Sequence, residues 1–468
     1  MQMQVHEEMD SIKKGLQGIL GKNVSFSIAM EERYSADKSY MKPQVPIAVA
    51  FPSSTSQVSR LLRFCNRHRI GVTARGAGTS LTGASIPSKG AIVVSMEKMG
   101  RVLEINIEDQ YVVAQPAVVL DDLNHRLEKH GYFYPPDPGS SMVSTVGGTL
   151  STNAGGLRGV MFGSTRRWVL GAQAVLADGT VIETGSRTLK LSRGYDLTSL
   201  LVGSEGTLAV ITKAVLRIEP QHGRMGSIVA YYDRMESACG MLRSLRNAGM
   251  PIITAEFIDR RSMKYMDRKY RGQPGYMVII GIASYSASLA HDMRLAASIV
   301  RKSGPESFYA TTSKARVRGE LGSRKRLFDA MAARCRESGL DMVIGDVIVP
   351  PSRLCAAVRE VEKMAGRYGP GAAMFGHMGE GNRHLNIFAD LGNRKHAALA
   401  NRLLNSLGEI AVRHAGSISA EHGIGLEKKK LLREELDAIH SSKEIELMKG
   451  IKKAFDPKGI LNPGKIFD

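Results

Sequence analysis

Cysteine is scarce in this chain, with four in 468 residues, at Cys65, Cys239, Cys335 and Cys355. None stands in a Cys-x-x-Cys pair, so the sequence encodes neither an iron–sulfur cluster nor a structural zinc ribbon. Scattered thiols of this kind are expected as core filler in a reduced compartment. Aromatics make up only 6%, with a single tryptophan, which argues against the stacking platforms of single-strand binders. No uninterrupted apolar run approaches the roughly 20 residues of a membrane span. The opening Met1-Gln-Met-Gln-Val-His-Glu-Glu8 lacks the apolar centre of a secretory signal, so a cytoplasmic protein is expected.

What is present points to a multidomain globular protein. A chain of 468 residues is too long for one ordinary core, and two or three domains are expected. Hydrophobic content of 43% and charged content of 23% are those of a globular protein. The net charge is +19, from 64 basic and 45 acidic residues. Such a balance suits nucleic acid, an acidic membrane surface, anionic small molecules or an acidic partner. The charge is spread, with local concentrations at 260–271, 314–326 and 428–433 that read mainly as solvated helix faces.

Residues 1–40 read as a polar helical lead-in. A short buried strand over Pro46–Phe51 precedes a capping box, Ser54-x-x-Gln57, and a helix with the stripe Val58, Leu61, Leu62 and Cys65. The strand Ile70–Thr73 then runs into Ala74-Arg-Gly-Ala-Gly-Thr-Ser-Leu-Thr-Gly-Ala-Ser-Ile-Pro87. Its glycines allow close approach to a ligand, and successive free N–H groups form an anion-binding concavity. A phosphate cradle for a nucleotide cofactor and a plain surface loop both satisfy this stretch taken alone.

Further strands are expected at Ala91–Met96 and within Val102–Ala117, and a helix at Leu120–His130. Residues 134–156 are rich in small residues and hydroxyls. Glycine costs about 1 kcal/mol at a helix interior position, so a ligand-packing segment is expected there rather than a helix. A hairpin turning at Asp178-Gly179 and a third glycine–hydroxyl turn, Gly203–Ile211, complete this part. From about residue 225 the glycine loops stop, and alternating strands and helices predict antiparallel sheet with helices on one side.

Two apparent nucleotide motifs fail. Gly76-x-Gly78 lacks the third glycine of a Rossmann fingerprint, since position 81 is Leu, and Pro87 comes too soon for the helix. Gly459-Ile-Leu-Asn-Pro-Gly464-Lys465 starts like a P-loop, but Ile466 replaces its hydroxyl residue and the chain ends before a helix.

Two dense motifs carry chemistry. Gly376–Asn386 holds His377 and His384 across a glycine-rich turn, and Gly416–Gly425 adds Glu421 and His422. Two histidines and a carboxylate are a sound ligand set for Zn²⁺ or Mn²⁺ with open positions. Such a metal polarises a substrate hydroxyl, and His422 is then a candidate general base.

The chain resembles the FAD-linked 2-hydroxy-acid dehydrogenases of the vanillyl-alcohol-oxidase (PCMH) flavoprotein superfamily, of the D-lactate dehydrogenase and glycolate oxidase D-subunit type. The resemblance runs from about Pro43 to Lys465. Its motifs are Pro-Ser-Ser-Thr-x-x-Val (52–58), Arg-Gly-Ala-Gly-Thr-Ser-Leu-Thr-Gly (75–83), Pro-Asp-Pro-Gly-Ser (136–140), Val-Gly-Gly-Thr-Leu-Ser-Thr-Asn-Ala-Gly-Gly (146–156), Gly-Ser-Glu-Gly-Thr-Leu (203–208), Gly-His-x-Gly-x-Gly-Asn-x-His (376–384) and Glu-His-Gly-Ile-Gly (421–425).

The resemblance implies an α+β protein: a lead-in at 1–40, a PCMH-type FAD-binding domain at 41–221, an α+β cap or substrate domain with antiparallel sheet at 222–425, and a helical segment at 426–468 returning to the FAD domain. It implies that Arg75, Gly76, Ala77, Gly78, Thr79, Ser80 and Gly83 cradle the FAD pyrophosphate. Pro138, Gly139, Ser140, Thr145, Gly147, Gly148, Ser151, Asn153, Gly155, Glu205, Gly206, Val210, Ile211 and Asn462 would serve the rest of the cofactor. Some relatives carry a flavin-linking histidine at the position of Thr79, so FAD here is expected without a covalent bond. His377, His384 and Glu421 would bind metal, with Arg324 on the substrate carboxylate and Asn386 and His422 in catalysis.

The implied reaction is oxidation of a small D-2-hydroxy acid to the 2-oxo acid. Electrons would leave to a separate cytochrome, quinone, electron-transfer flavoprotein or iron–sulfur subunit. The basic surface suits docking of that acceptor, or a peripheral contact at the inner face of the membrane. No nucleic-acid partner is expected. Departures are Glu380 in place of the usual Asp, Arg383 in place of an apolar residue, and Gly322 in place of an aromatic. The absence of a lysine near Gly345 disfavours 2-hydroxyglutarate. Ala420-Glu421-His422 lacks the histidine run of the alkyl-dihydroxyacetone-phosphate synthases, which weakens that transferase alternative.

Overall fold

The computed structural model of the protein describes every residue except Met1, His222, Pro274, Tyr368, Gly369, Pro370 and Asp468. The apolar stripe after Ser54 does form a helix, Thr55–His68, and buries Val58, Leu61, Leu62 and Cys65 completely. These side chains cover a four-stranded sheet ordered Val24–Ser25, Ala48–Ala50, Ile92–Ser95, Val72–Arg75, whose last three strands run parallel. Ser54 Oγ accepts from Gln57 N, whereas Gln57 Oε1 accepts from Ser53 N, one residue before the cap, so the box closes in shifted form. The second sheet is antiparallel, ordered Val102–Asn106, Tyr111–Ala114, Val210–Arg217, Val169–Val175, Val181–Gly185. Gly179, at a φ of +86°, turns the hairpin between its last two strands.

The stretch 134–156 departs from expectation. Val146–Thr152 is a seven-residue helix despite its two glycines, with Thr145 Oγ1 accepting from Gly148 N as its cap. Packing explains the glycine at 147, where a Cβ would lie 2.6 Å from Pro116 Cβ. The close approach that disfavours a side chain here also admits a tight helix.

The third sheet has seven antiparallel strands: Ser307–Thr311, Arg224–Tyr232, Tyr276–Ser284, Ile252–Asp259, Ala372–His377, Asn382–Ala389 and Asp341–Ile348, in that spatial order. Helices cover both faces, not one. Ile228, Ala230 and Tyr232 pack with Met235–Asn247, Leu289–Lys302, Leu354–Arg367 and Arg394–Arg413. Val229 and Tyr231, alternating to the other face, pack against Met263, Leu327 and Met331. Leu327 and Met331 belong to Lys314–Glu337, a 24-residue helix lying over the basic run at 314–326. That helix buries Glu320 and Arg324 along with its apolar residues, so charge masks its inward stripe. The sequence predicts a helix over Leu354–Tyr368; it is observed over Leu354–Arg367, and Tyr368 lies outside the described residues.

Cys239 and Cys355 are joined as a disulfide, with Cα atoms 6.6 Å apart, between the helices Met235–Asn247 and Leu354–Arg367. This corrects their reading as core thiols. Cys65 and Cys335 are free and buried. Near the C-terminus, Leu461 makes a parallel bridge to Val72, and Ile460 and Leu461 enter the core of the first sheet. Among the described residues no helix is long and apolar enough to cross a membrane.

The turn between the two histidine-bearing strands depends on Gly381, which has a φ of +87° and would place a Cβ 1.8 Å from Val349 O. Gly381→Ala is expected to lower stability by more than the roughly 1–3 kcal/mol of backbone strain alone. Gly319 is the control: it is exposed within a helix, with no atom within 4 Å of its virtual Cβ. Gly319→Ala should raise stability by about 0.5–1 kcal/mol. Denaturant unfolding of both variants checks the pair.

Candidate active site

The strand Val72–Arg75 delivers the glycine loop to one wall of a large cavity. Gly78, at a φ of +69°, folds the loop back so tightly that a Cβ would sit 2.1 Å from Arg75 Nη2. Arg75 in turn lies over the Tyr34 ring at 5.4 Å and donates to Ser85 O. Ser80 Oγ accepts from Thr82 N and Ala84 N, which locks the loop's far side.

The same cavity is lined by Arg75–Ser80, Pro138–Ser140, Thr145, Gly147, Gly148, Ser151, Glu205, Gly206, Val210 and Ile211. Arg324, His377, His384, Glu421 and His422 line it from the side of the seven-stranded sheet. Five expected residues stand off its wall. Gly83 packs on Leu426 and Met41, and Gly155 lies behind Glu421. Asn153 ends the Val146–Thr152 helix, and its Oδ1 accepts from Arg166 N. Asn462 donates to Ala84 O and Glu205 O. Asn386 is buried and donates to Ala373 O and His384 O.

The histidine cluster follows from sheet register. Glu256 pairs directly with His377, Phe375 with His384, and His384 with Asp346. Period-two alternation places these side chains on one face of the sheet. His384 is therefore a mid-strand residue rather than part of a turn, and Arg383 beside it points to the opposite face. Glu421 reaches across from its loop, with Oε1 3.4 Å from His377 Nε2 and 3.4 Å from His384 Nε2. The three atoms that could ligate a cation lie within 4.8 Å of one another. His422 stacks on His384 at 5.1 Å and 12°, with its Nε2 3.8 Å from the same Glu421 oxygen.

Two carboxylates that the motif reading missed hold this arrangement. Asp346, fully buried, accepts through Oδ2 from the backbone N–H groups of Ala420, Glu421 and His422, each at 3.0 Å. Its Oδ1 accepts from Asn382 Nδ2 at 2.8 Å. Glu256 Oε1 lies 2.6 Å from His377 Nδ1, and its Oε2 lies 2.8 Å from Arg324 Nη2. A lone acid inside an apolar strand was the available signal, because a buried charge needs a partner. Arg324 reaches the site from the helix Lys314–Glu337, its guanidinium 4.3 Å over the Phe375 ring.

The electrostatics suit a cation. Burial alone would lower His377, but Glu256 and Glu421 overcome it and hold the imidazole well above its ordinary value. Burial would raise Glu421, but His377 and His384 hold it well below the carboxylate range. These are two views of one ion pair and count once. Burial pulls His422 down to about 4, against the attraction of Asp346, so its imidazole is neutral and able to accept a proton.

Glu205 joins the two halves. Its carboxylate oxygens accept from Ile424 N at 2.6 Å and Gly425 N at 2.8 Å. Burial nevertheless pushes it up to about 7. The folded state therefore holds this proton more tightly than the unfolded chain. Its stability contribution is complete below pH about 4.5 and is lost as pH rises to about 7, by up to about 3 kcal/mol. Glu205→Gln should remove that increment, so wild type should lose stability relative to the variant between pH 5 and pH 8. Denaturant unfolding at both pH values reads this, and a pH-independent difference would show that Glu205 titrates normally.

Residues 221–466 match the family model "FAD linked oxidases, C-terminal domain", and residues 46–185 match "FAD binding domain". The chain is 32% identical over 438 residues to a glycolate oxidase subunit of Bacillus subtilis, covering 93% of this chain and 92% of that one. It is 36% identical over 422 residues to a D-lactate dehydrogenase of Archaeoglobus fulgidus, covering 89% and 90%. Among solved structures, p-cresol methylhydroxylase superposes with a TM-score of 0.81 at 16% identity, covering 99% of this chain and 97% of that one, a likeness of fold.

Proposed function

We propose that this chain, which belongs to the FAD-linked oxidase family, oxidises a small D-2-hydroxy acid, D-lactate or glycolate, to the corresponding 2-oxo acid. The observation that carries this reading is the single cavity joining the glycine–hydroxyl cradle to the histidine–carboxylate cluster. The cradle suits the pyrophosphate of FAD, held without a covalent bond because Thr79 offers no linking nitrogen. His377, His384 and Glu421 fit a divalent cation, Zn²⁺ or Mn²⁺, by their mutual spacing and by the strong pull of two carboxylates on His377. When bound, FAD supplies the hydride acceptor and the cation a Lewis acid for the hydroxyl.

This chain's residues do the rest. Arg324, stacked on Phe375 and buried, anchors the substrate carboxylate. His422 Nε2 takes the hydroxyl proton, its neutral form preserved by burial. Asp346 keeps His422 and Glu421 aimed by gripping the backbone of both. Asn386, behind the cavity wall, supports His384 through its carbonyl rather than touching substrate. On the strand Asp341–Ile348, Ile344 lines the cavity, while Gly345 faces Leu407 of the helical layer. An apolar residue there favours a short monocarboxylate over a dicarboxylate. Electrons would then pass to a separate acceptor, and the net charge of +19 suits an acidic partner or a peripheral membrane contact.

The purified protein should be yellow, release its flavin on acid precipitation, and bleach anaerobically with D-lactate or glycolate but not L-lactate. A colourless protein that FAD cannot reconstitute would overturn the reading and favour a polyanion-binding role. Arg324→Met should raise KM by about 10- to 150-fold, the range expected for losing a hydrogen bond to a charged group. His384→Ala should lose bound metal by elemental analysis; unchanged content would remove His384 from the ligand set.

A further inference from the structure

Glu256 is fully buried, yet it belongs to neither the cofactor cradle nor the ligand set just described. It stands between them. Strand pairing places it directly opposite His377, and its Oε1 lies 2.6 Å from His377 Nδ1. That contact makes Nδ1 a donor, so Nε2, which faces Glu421 at 3.4 Å, is the nitrogen left to a cation that takes the place of its proton. Its Oε2 lies 2.8 Å from Arg324 Nη2, but the two are misaligned and neither atom makes a hydrogen bond. The guanidinium is therefore held by charge and by the Phe375 ring, while its buried Nε has no partner. A guanidinium with an unsatisfied buried edge is ready for a carboxylate.

Resting on the reading above, we propose that Glu256 is a positioning residue that couples the cation site to the substrate-carboxylate site. A cation on the Nε2 side of His377 polarises the ring and strengthens its Nδ1–H···Oε1 bond. Negative charge on Glu256 is drawn toward His377, and its hold on Arg324 loosens. The guanidinium edge is then freer for an incoming carboxylate. Thermodynamic reciprocity requires the converse, so a bound carboxylate tightens the cation.

The test uses the flavin-loaded full chain, with Mn²⁺ binding read by electron paramagnetic resonance and pyruvate binding read by perturbation of the flavin spectrum. In wild type, Mn²⁺ should tighten pyruvate by at least about 5-fold, the lower end of typical site-to-site couplings. Glu256→Gln should weaken Mn²⁺ by about 10- to 100-fold and cut the coupling below about twofold. Glu256→Asp, which keeps the charge, should restore part of both. A folded Glu256→Gln protein with wild-type Mn²⁺ affinity and intact coupling would overturn the proposal while leaving the proposed activity standing. Wild type that holds flavin but binds neither Mn²⁺ nor Zn²⁺ would overturn this proposal and the cation assignment, and the flavin-dependent oxidation would stand. Should Glu256→Gln fail to fold, Arg324→Met decides: it should bind Mn²⁺ at least as tightly as wild type and lose the coupling, and coupling retained there would overturn the proposal.

Discussion

Asp346 accepts three consecutive backbone N–H groups at one carboxylate oxygen, and much of the site hangs on that contact. A loop carrying Glu421 and His422 would otherwise be the mobile part of the centre. Three charge-assisted hydrogen bonds from a buried strand residue instead fix residues 420–422 against the sheet. Burial would raise the Asp346 carboxyl, but His422, Lys428 and His384 hold it below the ordinary range, so it stays an acceptor. Lys428 extends the clamp by donating to the carbonyls of Asp346 and Ile418.

The same device recurs where the cofactor cradle meets the loop 420–425. Glu205, on the cofactor side, accepts from Ile424 and Gly425 just beyond the gripped loop. Asn462 ties the C-terminal return to the carbonyls of Ala84 and Glu205. The glycine cradle and the histidine cluster thus share one strip of backbone, residues 420–425, held by carboxylates from both sides. A hydride donor and acceptor need alignment within a fraction of an ångström, and rigid buried anchors supply it better than flexible surface pairs.

Charge of opposite sign is used differently in the two halves. The first loop presents backbone N–H groups and hydroxyls, suited to a diffuse pyrophosphate. The second site opposes carboxylates to imidazoles and a guanidinium, suited to a compact cation and a carboxylate. The basic surplus of the chain is only partly spent here, since Arg324 is inward while much of Lys314–Glu337 faces solvent.

The sequence by itself determined the glycine–hydroxyl turns at 74–87 and 203–211, the amphipathic helices, the antiparallel sheet after residue 225, and the identity of His377, His384, Glu421 and His422 as a set. These were legible because turn chemistry and helical periodicity are local. Tertiary structure alone decided the rest. The helix Lys314–Glu337 was hidden because its buried face carries Arg324 and Glu320 beside Leu327 and Met331. Helices on both faces of the large sheet were hidden because strands buried on both sides show no alternation. Cys239 and Cys355, 116 residues apart in sequence, meet only when their two helices pack side by side. The partners of Glu256 and Asp346 became legible only through strand register, which sets each of these interior acids beside a histidine from another strand.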